Sequence, residues 1–318
     1  MAGTKPIVIA HRGACGYAPE HTLVAKALGY AMGADFIEQD IVLTRDDQPI
    51  VLHDIHLDTV TDVSQLFPGR ARADGRYYAI DFLLEEIRQL KVHERVDWST
   101  DKVIYPNRFP VGWSEFRVPT FAEEIELIQG LNASTGGTVG IYPEIKSPGW
   151  HRQQGKDISR IVLQVLDQYG YHDKSDPVYL QCFDVDETRR LREQLGCQLR
   201  LIQLVGNNDW DKVSGEFAPM YTQEGLRVLA NVVDGIGPSL PQIISGRDEE
   251  GELLCSNLVQ DAHDLGLVVH PYTLQSDDLP GYASDFDQLL EILFVHIGAD
   301  GAFTDFPDQT VVYLSNLT

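Results

Sequence analysis

The sequence is short of basic residues, of cysteine and of long apolar runs. Its 318 residues hold 25 Lys and Arg against 48 Asp and Glu, a formal net charge of −23. That excess excludes a surface that wraps nucleic acid or lies on an anionic membrane. It does not exclude a small anionic ligand, because a pocket can differ in sign from the whole. Cysteine is limited to Cys15, Cys182, Cys197 and Cys255, with no CxxC pair and no metal-ligand spacing. A disulfide scaffold is therefore excluded. Free thiols, mostly packed as small buried hydrophobes, are expected, with one or two bridges left open. No stretch reaches the ~18 apolar residues of a bilayer-spanning helix, so no membrane span is expected. The start, Met1-Ala2-Gly3-Thr4-Lys5, runs straight into Ile7-Val8-Ile9-Ala10 without a signal-peptide core. The expected compartment is cytoplasmic if the chain is complete, and periplasmic or secreted if it is a mature form with a replacement start.

What is present is an alternation of short β-branched runs with longer helical patterns. Strands are predicted at 7–10, 36–43, 139–145, 178–182, 199–205, around 235–237, at 267–274 and at 302–304. Residues 50–52 continue the second strand or pair beside it. Helices are predicted at 22–32, 120–131, 158–169, 184–195, 223–232, 257–265 and 286–297. Thr120 and Glu123 make a capping pair for the second of them. Repeated β-then-α units predict an α/β fold, a TIM (β/α)8 barrel ahead of a doubly wound sheet. Residues 55–118, rich in Arg, Asp, Tyr and Pro, break the rhythm. They are too many for a structureless loop and read as a small subdomain inserted after strand 2. The whole of 1–318 is then one domain, with the insert at the face where barrel chemistry sits.

Polar groups gather at the predicted strand ends. His11-Arg12-Gly13 follows the first strand. An Arg there can grip phosphate with two donors, although the tripeptide alone reads better as a surface pair in a turn. Glu38 and Asp40 share one face of the second strand. Two inward acids among Ile37 and Ile41 would repel each other and resist burial. A hard divalent cation resolves that conflict, whereas an edge strand would simply turn them to water. His53-Asp54 supplies a second strand-end His, either half of a general acid–base pair or a structural turn. Glu144 and Lys146 repeat the i, i+2 spacing on the third strand, as a metal oxygen and a phosphate-binding charge or as a water-facing pair. Gln181, Tyr272 (in His270-Pro271-Tyr272) and Thr304-Asp305-Phe306-Pro307 stand at later strand ends and are also ordinary turn chemistry. Cys15 reads as a small loop residue rather than a nucleophile. Taken together, two His, an Arg, a Lys and three acids suit metal-assisted phosphoryl chemistry.

These pieces resemble the glycerophosphodiester phosphodiesterase family. HRG at 11–13, PEHT at 19–22, EQDIVLTRDD at 38–47 and VLHD at 51–54 carry the likeness. PEIKSP at 143–148, YLQCF at 179–183, HPYT at 270–273 and DGAFTDFPD at 300–308 extend it, closest to the periplasmic bacterial members. The resemblance implies a TIM barrel with an inserted small domain. It implies His11 and His53 as the acid–base pair, and Arg12, Lys146, Gln181 and Tyr272 as phosphate and substrate binders. Glu38, Asp40 and Glu144 would be ligands of one divalent cation, Ca2+ ahead of Mg2+. The implied reaction cleaves glycerophosphodiesters such as glycerophosphocholine into sn-glycerol 3-phosphate and an alcohol. His21 and Tyr272 stand where many members have Asn and Trp, which bears on substrate breadth. The oligomeric state is left open, with a dimer compatible. The rival readings are a lysophospholipase D-like or sphingomyelinase D-like lipid phosphodiesterase, and a non-catalytic phosphodiester-binding protein.

Overall fold

The computed structural model describes residues 5–206 and 217–317. Eight parallel strands curl into a barrel: β1 Ile7–Ala10, β2 Phe36–Leu43, β3 Gly140–Ile145, β4 Tyr179–Cys182, β5 Arg200–Val205, β6 Gly235–Pro238, β7 Val268–Val269 and β8 Gly301–Thr304. Neighbours pair in the order β7-β6-β5-β4-β3-β2-β1-β8. Single backbone bonds close the ring between its two ends. Asp300 N–H donates to the Val269 carbonyl at 3.1 Å, and Leu274 N–H donates to the Phe303 carbonyl at 2.8 Å.

Alternation along each strand sorts the side chains into two layers. Ile9, Phe36, Tyr142, Ile202 and Phe303 form a cluster inside the barrel. Their neighbours Val8, Ala10, Ile37, Ile141, Leu201 and Ala302 point outward into the main core. There they meet Phe121, Ile125 and Ile128 of helix α2 (Phe121–Thr135), as well as Val162 and Leu166 of α3 (Ile158–Gln168). Each fully buried Ile or Leu in that layer contributes ~1.5–3 kcal/mol. Helix starts are set locally. Thr22 Oγ1 accepts from Ala25 N–H to begin α1 (Leu23–Ala31), and Thr120 with Glu123 forms a capping box for α2.

Residues 50–52 pair beside the second strand. Pro49–Val51 folds back antiparallel on the end of β2, with Val51 opposite Ile41. The chain then leaves the barrel and returns at Pro119, whose carbonyl accepts from Val51 N–H at 2.9 Å. Between these anchors the insert has its own core of Leu57, Val60, Val63, Phe82, Ile87 and Leu90.

Two expectations are adjusted, and two elements were not expected. The seventh strand was expected over 267–274; its continuous ladder is Val268–Val269, but His270 and Tyr272 N–H still donate to the Ile236 and Pro238 carbonyls and Leu274 bridges Thr304, so the run stays paired in isolated contacts and Pro271 withholds only its own donor. The helix expected over 286–297 is α-helical over Phe286–Glu291 and widens to a π turn over Ile292–Ile297. A hairpin of Ile244–Arg247 with Leu253–Cys255 and a last helix, Pro307–Asn316, were not expected.

Candidate active site

Immediately after β1 the backbone turns sharply, with φ +55° at Arg12 and +89° at Gly13. A Cβ at Gly13 would lie 2.6 Å from the Ala25 carbonyl carbon, so glycine is required there. The turn aims Arg12 N–H at Glu38 Oε2, 2.6 Å away. It also sets His11 Nδ1 against Asp305 Oδ1 at 2.6 Å. The Arg12 guanidinium reaches Glu20 Oε2 at 2.9 Å and lies 3.7 Å from Asp40 Oδ2.

Strand register assembles the acids. Asp40 on β2 pairs with Glu144 on β3, and Glu144 pairs with Gln181 on β4, so all three stand at one level of the barrel mouth. Glu38, Asp40 and Glu144 are buried. Burial and the Asp40 charge raise the Glu38 carboxyl well above its ordinary range. Burial lifts Glu144 to about 8, with Lys146 pulling down and Asp40 pushing up. Asp40 resists burial through Lys146, His53 and His21, and its carboxyl stays well below the usual range. Lys146 Nζ lies 2.8 Å from Glu144 Oε1 and 3.5 Å from Asp40 Oδ1. Asp40 Oδ1 is buried without a hydrogen bond. Three buried carboxylates of which two prefer to be protonated, one with an unsatisfied oxygen, fit a hard divalent cation.

His21 offers a nitrogen beside Glu38 and Asp40, with donor atoms of all three within 4.8 Å. Its tautomer argues for a different task. Lys26 Nζ is 3.1 Å from His21 Nδ1, and an ammonium can only donate. Nδ1 is therefore the acceptor, and Nε2–H donates to Asp40 Oδ2 at 2.8 Å. His21 thus orients Asp40. Behind it Lys26 is fully buried, donating to the Glu38 carbonyl and lying 3.3 Å from Glu124 Oε2.

His53 reaches the same mouth because the strand just before it folds back on β2, with Leu52 N–H on the Asp40 carbonyl at 2.9 Å. Its Nδ1 meets Asp54 Oδ1 at 2.9 Å. Burial, then the Arg12 and Lys146 charges, lowers His53 to about 4. Burial and Arg12 also lower His11. Both Asp partners are ionised. Burial opposes it, but Arg95 and His53 hold Asp54 low, and His11 and Arg108 hold Asp305 low. Each His therefore donates from Nδ1 and presents the lone pair of Nε2.

His11, Arg12, Glu38, Asp40, His53, Glu144 and Lys146 thus share one electrostatic neighbourhood. Gln181 lies beside Glu144, with Nε2 3.4 Å from the Tyr142 carbonyl and a buried, unpaired Oε1. Tyr272 donates its hydroxyl to the Val205 carbonyl at 2.9 Å and sets its ring edge-on to Phe183. It offers a wall to the mouth rather than a free hydroxyl. Cys15 is buried, and burial with Asp305 nearby raises its thiol well above the usual value, which rules out a ready thiolate. The described residues contain no disulfide. Sequence reasoning missed Glu20, Lys26, Arg95 and Arg108, took Asp54 only as the turn neighbour of His53, and named Asp305 as a strand-end candidate without a role.

A family model for glycerophosphoryl diester phosphodiesterases matches residues 11–309. The chain belongs to this family. It is 43% identical to the glycerophosphodiester phosphodiesterase of Haemophilus influenzae, across 100% of this chain and 93% of that protein. It is 38% identical to the one of Treponema pallidum, across 98% and 92%. Among solved structures, an Oleispira antarctica phosphodiesterase in complex with the product sn-glycerol-3-phosphate superposes with a TM-score of 0.65 at 20% identity, over 98% of this chain and 97% of that one. A glycerophosphodiester phosphodiesterase of Agrobacterium tumefaciens gives 0.62 at 18%, over 96% and 99%. At such identities the structures speak for the barrel alone. The family match begins at His11, the first of the histidines at the barrel mouth.

Proposed function

We propose that this family member hydrolyses glycerophosphodiesters to sn-glycerol 3-phosphate and an alcohol, with His11 and His53 as the acid–base pair and a divalent cation held by Glu38, Asp40 and Glu144. The observation that carries the reading is the meeting, in one barrel mouth, of two Asp-fixed histidines with a buried carboxylate trio. Arg12 and Lys146 bind the phosphate oxygens and stabilise charge as it builds there. One His takes at its Nε2 the proton of the attacker, water directly or a substrate hydroxyl whose cyclic product water then opens, and the other, protonated, delivers a proton to the leaving alcohol oxygen. Ca2+ or Mg2+, when bound, supplies positive charge at a phosphoryl oxygen. Family membership supports the reaction class, and the all-oxygen donor set favours a hard divalent cation, Ca2+ or Mg2+.

The test is release of glycerol 3-phosphate from glycerophosphocholine and glycerophosphoethanolamine, with Ca2+, Mg2+ or chelator. Full turnover after stripping with chelator would sink the metal assignment. Choline release from lysophosphatidylcholine in preference to glycerophosphocholine would favour a lipid-directed enzyme. Among the described residues no helix is long and apolar enough to cross a membrane.

A further inference from the structure

The insert sends two arginines into the barrel mouth. Arg95 is 85% shielded from solvent, and it reaches Asp54 Oδ2 with Nη1 at 2.7 Å. The same guanidinium grips Glu20 through Nε at 2.9 Å and Nη2 at 2.6 Å. Arg108 is only 3% exposed. Its Nη2 donates to Asp305 Oδ2 at 2.8 Å, and it grips Asp277 through Nε at 2.8 Å and Nη2 at 3.0 Å.

The two contacts are equivalent in kind. Asp54 spends one oxygen on His53 and the other on Arg95, with Thr59 Oγ1 also donating to that second oxygen at 2.9 Å. Asp305 spends one oxygen on His11 and the other on Arg108, with Gln275 Nε2 donating to that second oxygen at 2.7 Å. In each case the far oxygen is tied down by a charged donor, which leaves the near oxygen facing one imidazole in one orientation. An acid that orients a catalytic base is a recurring device in enzymes of other folds; here each such acid is itself held by an arginine.

We propose that the insert completes two His–Asp–Arg chains, His53–Asp54–Arg95 and His11–Asp305–Arg108, in which Arg95 and Arg108 are positioning residues for the acid–base pair. This rests on the reading of His11 and His53 as that pair. The insert is then part of the catalytic apparatus, and neither histidine is held by the barrel alone.

The test is a set of double-mutant cycles on glycerophosphocholine turnover by the metal-loaded enzyme. Arg95→Ala is combined with His53→Ala and, separately, with His11→Ala. Arg108→Ala is treated in the same way with the histidines exchanged. Each single Arg→Ala should lower kcat about tenfold or more, a fraction of the ~10²–10⁴ that general acid–base catalysis supplies, with KM changing less than threefold. Arg95→Ala should cost little further in the His53→Ala background and its full factor in the His11→Ala background. Arg108→Ala should show the mirror pattern. Lys at either position should restore kcat only in part, because an ammonium lacks the two-pronged donor. It also carries the cycle if an Ala variant fails to fold. Full additivity of Arg95→Ala with His53→Ala overturns the proposal for Arg95, and a KM-only effect does so too. Near-normal turnover in both single His variants overturns the acid–base reading itself, which separates the two failures.

Discussion

Cation binding to this protein should release protons, and the structure sets how many. Without a metal the Glu144 carboxyl sits at about 8, raised chiefly by burial. At pH 7 it is therefore about nine-tenths protonated, and at pH 9 about one-tenth. Glu38 is raised as well, by burial and by Asp40. A divalent cation needs both as carboxylates, so binding at pH 7 should expel between about one and two protons. The sign follows directly. Below pH 8 the free site holds protons that the loaded site does not, so affinity rises with pH. Each proton released steepens apparent affinity by about tenfold per pH unit, and the slope should flatten above pH 8 as Glu144 empties.

The assay is calorimetric titration of Ca2+ into chelator-stripped protein at pH 6, 7 and 8. It is run in two buffers of different ionisation enthalpy, so that the proton count is read from the difference in heat. Glu144→Gln should bind more weakly and release about one proton fewer. Tight Ca2+ binding at pH 6–7 with no proton release would refute the assignment of the buried carboxylates. An unchanged proton count in Glu144→Gln would refute the part given to Glu144.

Two further expectations concern the scaffold. Gly13→Ala places a methyl 2.6 Å from the Ala25 carbonyl carbon at φ +89°, and should cost about 2 kcal/mol or more in stability. Turnover should fall with it, because His11 and Arg12 shift together; wild-type urea midpoint and rate would contradict this. His270 lies inside the barrel, its Nδ1 2.9 Å from the Tyr142 hydroxyl, and burial lowers it to about 4. A His neutral when folded lends stability that is complete above pH 6.5 and is lost as pH falls from 6.5 through 4, about 3 kcal/mol in all. The urea midpoint should therefore drop less between pH 7 and 4.5 in His270→Gln than in the parent, and equal drops would contradict the argument.

Most of the barrel is written in local patterns. β1 and β2 appear at their observed limits because their β-branched runs are short and bounded by turn residues. Glu38 and Asp40 are legible as a buried pair because i, i+2 spacing fixes one face regardless of tertiary detail. What is not legible depends on contacts far apart in sequence. Arg95 and Asp54 are 41 residues apart, and Arg108 and Asp305 are 197 apart. Nothing near Arg108 sets it apart from Arg70 or Arg72, which pair with Glu86 and Asp81 within the insert. The hairpin at 244–255 escaped because its strands are mostly exposed and carry little apolar alternation. The role of His21 depends on a Lys26 that is fully buried, a placement that side-chain chemistry alone argues against.

The net charge of −23 leaves a question that the site answers locally. Arg12, Arg95, Arg108 and Lys146 all lie against acids: Glu20, Asp54, Asp277, Asp305, Glu144 and Asp40. With Glu38 added, seven carboxylates face four cationic side chains, so an anionic diester meets no spare positive charge if every acid is ionised. Two protons, on Glu38 and Glu144, reduce the deficit by two, and one divalent cation does the same. Their effects on a phosphate differ. A proton held on a carboxylate oxygen neutralises that carboxylate and offers the phosphate no charge of its own. A cation leaves a positive centre facing the mouth, and carboxylates engaged with it compete less for Lys146. The bulk acidity is screened within about 10 Å at ordinary ionic strength, so on the proposed assignment the exchange of protons on Glu38 and Glu144 for a cation would govern whether the anion is accepted.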